Sequence, residues 1–168
     1  MFGYLHKNYK LAHFKPNFMT IKNLDDLYST YKEKRNLTIS KEQFVLFAEF
    51  FPVILVVTAD GVVDEEEEVY INKLSNSLGN IFKEEGLADV KVLELKKVFK
   101  EEFAFLIFNL DDWQDAFLDG LRGHLEHNPD QKEAIIDTVY LFAEASAGIS
   151  DDEEKMLEYI KKRLDLKE

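Results

Sequence analysis

From Leu24 onward, apolar residues recur three and four positions apart, the spacing that gathers them on one face of a helix. Asn23 is placed to cap a helix over Leu24 to Arg35. Asp25 and Asp26 open that helix and Lys32, Lys34 and Arg35 close it, a charge order that suits its dipole. Ser40, with Gln43 three residues on, makes a capping-box pattern. Phe44, Phe47, Phe50 and Phe51 follow at helical spacing as a core face, and Pro52 predicts a kink or restart. Val53 to Val57 carries enough β-branched residues for a strand, but no turn residues bound it on the left, so helix is favoured.

Asp60-Gly61 breaks that run. Asp64 to about Leu78 reads as the next helix, closed by Gly79, with Asn80 to Gly86 as a connection. Leu87 to about Phe103 is expected to be amphipathic, built on Val90, Leu93 and Val98. Phe105 to Leu110 is apolar and ambiguous. Asp111 or Asp112 can cap a helix through His127, with Trp113, Phe117, Leu118, Leu121 and Leu125 as its core stripe. Asn128-Pro129-Asp130 is a turn. Lys132 to Ala145 and Asp151 to Leu166 complete the series. No convincing alternation marks a strand, so the pattern predicts an all-α bundle of about seven or eight helices.

The pattern is also written twice. An offset of 86 residues carries Val56–Ile71 onto Phe142–Leu157 without a gap. Ala59 meets Ala145, Glu67 meets Glu153 and Glu68 meets Glu154. Val53 meets Val139, Leu55 meets Leu141, Val63 meets Ile149, Ile71 meets Leu157, Leu74 meets Ile160 and Leu78 meets Leu164. Two copies define a pseudo-duplicated domain rather than a solenoid. The expected division is residues 1–40, a basic aromatic segment with one helix docked on the body, and residues 41–168, a helical domain. Its related halves lie at about 41–80 and 130–166.

Composition narrows the function classes. The chain of 168 residues has no cysteine, which excludes disulfides and thiolate metal sites and fits a cytoplasmic location. No signal-peptide pattern opens it. The longest apolar run, Phe44 to Ala59, contains Glu49 and Pro52 and reads as a core helix, not a membrane span. Residues 1–35 hold seven Lys/Arg and three Asp/Glu, net +4; residues 36–168 hold 14 and 30, net −16. The acidic body disfavours nucleic acid. The basic head suits docking on that body or on a protein partner.

Two readings compete for the acidic turns. Asp64 with Glu67, and Ser150 with Glu153, have capping-box spacing, and the neighbouring acids suit a helix N-terminus. Alternatively, if the copies pack about a pseudo-twofold axis, Asp60, Asp64 and Glu67 would face Ser146, Ser150 and Glu153 in an oxygen-rich site for Ca²⁺ or Mg²⁺. The spacing is not that of an EF-hand, since position 12 from Asp60 is Ile71.

The run Ala59-Asp60-Gly61-x-Val63-x-x-x-Glu67, preceded by an apolar helix and repeated later, resembles the tellurite-resistance TerB-like family. That fold is also seen in the N-terminal domain of some DnaJ-like co-chaperones. The resemblance covers about Lys41 to Leu166. It implies an all-helical duplicated domain, divalent-metal binding at its acidic turns, and a bacterial stress-response or phage-defence setting. Carried over by position, the candidate ligands are Asp60, Glu67, Ser146 and Glu153, with Asp64 beside them. The second copy has Ser146-Ala147 where the pattern has Asp-Gly, so one ligand carboxylate is missing.

Catalytic signals are thin. No glycine-rich phosphate loop and no Gly-x-Ser-x-Gly elbow is present. His124 and His127 sit close enough for zinc, but no third ligand is obvious and solvated surface histidines are expected. The expectation is a non-enzymatic stress-response module that binds partner proteins, with a divalent cation at its acidic corners. The alternative is a structural or protein-interaction bundle without metal.

Overall fold

A computed structural model describes residues 20–61, 65–145 and 148–166, with the side chains of residues 65–67 set aside. It is all-helical, with no strand among the described residues. Eight helical segments occur there: α1 (Leu24–Arg35), α2 (Lys41–Glu49), α3 (Phe51–Val57), α4 (Glu65–Glu84), α5 (Asp89–Phe108), α6 (Leu110–His127), α7 (Gln131–Glu144) and α8 (Asp151–Leu164).

Local chemistry explains most boundaries. The Asn23 side chain accepts from the Asp26 amide at 2.9 Å, capping α1. Ser40 and Gln43 form the reciprocal capping box that opens α2. Pro52 near the start of α3 separates it from α2. Val53 to Val56 are buried as helix, so their neighbours are other helices rather than sheet partners. Two boundaries differ from expectation. Gly79 does not end α4, which runs on to Glu84. The stop is Gly86 at φ 100°, where the Leu87 amide reaches the Phe82 carbonyl and the Gly86 amide reaches that of Lys83. Gly79 instead admits α5, because a Cβ there would overlap the Lys96 side chain. The ambiguous Phe105–Leu110 run is the junction of α5 and α6. It is broken at Asn109, whose side chain folds back on the Phe105 carbonyl at 2.8 Å, while Asp111 and Asp112 lie inside α6.

The core is aromatic. Tyr31, Phe44, Phe47, Phe51, Phe99, Phe103 and Phe117 are all fully buried. Phe51 stacks on Phe117 at 4.5 Å, and Tyr31 meets Trp113 edge-on at 4.9 Å. One expected stripe is wrong in part: Val98 is half-buried against the core, but Val90 and Leu93 are exposed, and Val92, Leu95, Phe99 and Phe103 form the buried face of α5. A 20-residue helix that is apolar over much of its C-terminal half offers several candidate faces, and packing on α4 selects this one.

The 86-residue offset has a spatial counterpart. Helix α3 packs on α7, and α1 packs on α6. The same offset relates the second pair, carrying Leu27 onto Trp113 and Tyr31 onto Phe117, all of them buried. The repeat therefore begins at α1. One unit is α1 with α2–α3 and α4, the other is α6 with α7 and α8, and α5 lies between them. The symmetry is incomplete. Helix α8 rests on α6 and α3, whereas its counterpart α4 rests on α5.

Candidate functional site

The acidic corners are only partly described. Asp64 and Ser146 lie outside the described residues, as does the side chain of Glu67, whose backbone belongs to the first turn of α4. Asp60 is exposed on the turn after α3, which Gly61 closes at φ 74°. Glu153 is engaged in capping. Its carboxylate accepts from the Ser150 amide at 2.7 Å, and its own amide donates to Ser150 Oγ at 3.2 Å. Among the described residues, no group of three or more His, Asp or Glu side chains is gathered in metal-ligating geometry.

The interior holds a polar cluster that periodicity did not single out. Glu102 on α5 is buried and takes three hydrogen bonds from α1. Tyr31 donates its hydroxyl at 2.6 Å, Arg35 Nε donates at 2.9 Å, and Arg35 Nη2 donates to the other oxygen at 3.1 Å. The guanidinium also lies 3.7 Å over the Phe105 ring. Burial raises the Tyr31 hydroxyl well above its ordinary pKa, and the Glu102 charge adds to the effect. Burial opposes the charge on Arg35, but the hydrogen bonds and charge of Glu102 outweigh it and hold the guanidinium above its ordinary value. The signal for this cluster was a carboxylate on the Phe99–Phe103–Leu106 face, a position that burial makes costly unless it is paired.

A second cluster joins α2, α6 and α7. His124 Nε2 lies 2.7 Å from Gln131 Oε1 and 3.5 Å from Glu49 Oε1. Burial raises the Glu49 carboxyl, and His124 partly counters it. His124 is thus half-buried rather than a solvated surface group, whereas His127 is exposed, as expected, with Nδ1 3.0 Å from the Gly123 carbonyl. The two rings serve different partners. On α8, Arg163 reaches Asp115 at 2.7 Å and Asp119 at 3.0 Å, both on α6.

The broken symmetry leaves an open groove of about 380 Å³ between α4 and α7. Leu141, Phe142 and Ala145 form the wall from α7; Lys73, Asn76, Ser77 and Asn80 form the wall from α4. Leu55 and Leu141 match under the offset but differ in environment. Leu55 is 1% exposed where α3 packs between α7 and α8, and Leu141 is 68% exposed at the groove. The sequence placed Leu141 on an apolar stripe; it did not show that its counterpart helix turns away.

The fold and the groove define a class: an internally repeated helical bundle in which, among the described residues, one repeat interface is left open. Compared with known proteins, the chain matches no family model, no curated protein and no solved structure.

Proposed function

We propose that this chain is a non-enzymatic protein-interaction module whose recognition site is the groove between α4 and α7. The observation that carries the reading is Leu141, exposed at the position where the first repeat buries Leu55. An apolar wall facing a wall of two amides, a hydroxyl and the Lys73 ammonium suits an extended protein segment. Its side chains would pack on one wall and its backbone would hydrogen-bond to the other. The acidic surface favours a segment that is cationic as well as apolar. The cellular setting that goes with this reading is the bacterial stress response implied by the TerB-like resemblance. Pairing of α3 with α7 and of α1 with α6 supports that resemblance, as a duplicated helical domain requires. Among the described residues, no helix is long and apolar enough to cross a membrane.

The test is site-directed photo-crosslinking in cells, with the cross-linker at Asn76 or, as control, at Lys155 on α8. Adducts found only from position 76, and lost on Leu141→Lys, are expected. Adducts that are the same from both positions, or that survive Leu141→Lys, would overturn the groove as the site.

A further inference from the structure

We infer that the groove between α4 and α7 is filled by this chain's own N-terminal segment, residues 1–18, which a partner must displace. The inference rests on the reading of the groove as a recognition site and adds its regulation. Three observations select this occupant.

The first is chemical. Residues 1–18 contain Phe2, Tyr4, Tyr9, Phe14 and Phe18, with Lys7, Lys10 and Lys15 and no Asp or Glu. On α7, Asp137 and Glu144 stand one turn either side of Leu141 on the same helix face, and Glu84 stands one turn beyond Asn80 on α4, beside a Lys83 whose ammonium is paired with Asp89 at 3.1 Å; all three acids are exposed. The groove thus pairs an apolar wall with an anionic rim, and the segment pairs rings with ammonium groups. Lys73 inside the groove favours a ring over a second cation, which directs the aromatics inward and the lysines to the rim.

The second is reach. The chain is fixed at Ile21, which is buried, and at Lys22, whose carbonyl lies so close to Gly123 that a Cβ there would overlap it. Eighteen residues span up to about 60 Å when extended. A domain of this size has a radius of gyration of about 15 Å, hence a diameter near 40 Å. A tether this short holds the segment near the groove at millimolar effective concentration, on the order expected for flexible linkers.

The third is the symmetry itself. Where the first repeat offers Leu55 and Val56, α7 and α8 cover them; where the second offers Leu141 and Phe142, Phe142 is buried but Leu141 is 68% exposed, because α4 has gone to α5. Among the described residues, Leu55 is covered and its counterpart Leu141 is not.

The absence of cysteine makes the test direct. Asn76→Cys or Lys155→Cys in the full chain carries one nitroxide label, and paramagnetic broadening is read at the amides of residues 1–18. Loss of those signals from position 76 but not from position 155, independent of protein concentration, is expected. Adding Leu141→Lys to the labelled Asn76→Cys chain should restore them while helical circular dichroism shows the body still folded. Intact signals from position 76, broadening that grows with concentration, or broadening that survives Leu141→Lys would each overturn the inference. The two readings separate cleanly. Leu141-dependent cross-links with unbroadened N-terminal signals would sink self-occupancy alone; broadening without such cross-links would sink partner recognition alone.

Discussion

Removing one charge from the buried cluster should reveal what joins α1 to α5. In Glu102→Gln the shape is kept, but one of two acceptor oxygens becomes an NH₂ that faces donors on Tyr31 or Arg35. Deleting one partner of a buried ion pair costs about 3–5 kcal/mol. Here the Arg35 side chain keeps 18% exposure and its contact with the Phe105 ring, so about 2–3 kcal/mol is expected. For a chain of this length that is a fall of roughly 4–12 °C in melting temperature. Tyr31→Phe removes one hydrogen bond to a carboxylate that retains Arg35, and should cost about 1–2 kcal/mol. The two losses should not add, with a coupling of about 1 kcal/mol in the double-mutant cycle. Urea unfolding followed by helical circular dichroism gives the energies. Fluorescence of Trp113, whose ring lies 4.9 Å from that of Tyr31, reports the site itself. The triple replacement Tyr31→Phe, Arg35→Met and Glu102→Leu leaves no orphaned polar group and should recover most of the loss. A Glu102→Gln cost below about 0.5 kcal/mol, or a coupling near zero, would refute the cluster as a fastening.

Three further outcomes are expected. Gly123→Ala should be net destabilising by about 1–2 kcal/mol, because overlap with the Lys22 backbone outweighs the gain of about 1 kcal/mol in helix propensity; urea midpoints measure the cost, and increased hydrogen exchange at residues 21–23 should accompany it. Glu49→Gln should stabilise the protein near neutral pH: burial raises the folded carboxyl above its ordinary 4.5, so the native state is favoured while Glu49 is protonated and loses that advantage as pH rises through the folded value. The gain should vanish below pH 4.5, and melting curves across pH that show no convergence there would contradict it. If the acidic corners hold Ca²⁺ or Mg²⁺, that ion should raise the melting temperature; Glu153→Gln, which can still complete the capping box with Ser150, should keep the metal-free melting temperature and reduce the rise, and Asp60→Asn with Glu67→Gln should abolish it.

The helices were legible where local chemistry decides them. Asn23, Ser40 and Ser150 cap as their side chains predict, and Pro52 separates two helices. Legibility failed where a neighbour decides. Gly79 looks like a stop in sequence, but α5 uses it as an approach. Val90 and Leu93 are three apart but off the face formed by Val92, Leu95, Phe99 and Phe103, whose own spacing of three, four and four was there to be read; packing on α4 selects that face. The cluster at Glu102 needs residues about 70 positions apart, a separation no local pattern can encode. The capping reading of Glu153 is visible at the atomic level.

Helix α5 accounts for both the cluster and the groove. Among the described residues, no helix is its counterpart under the 86-residue offset. Glu102 fastens one of its faces to α1, while Gly79 and the bond from Lys96 to Asn80 hold α4 against another. A helix packed along α5 is not free to lie on α7 as α8 lies on α3. Among the described residues, this packing leaves Leu141 of the second repeat exposed where the first repeat buries Leu55. A recognition site can arise this way without any residue being recruited for chemistry, because exposure of Leu141 follows from where α4 is held rather than from a change at position 141.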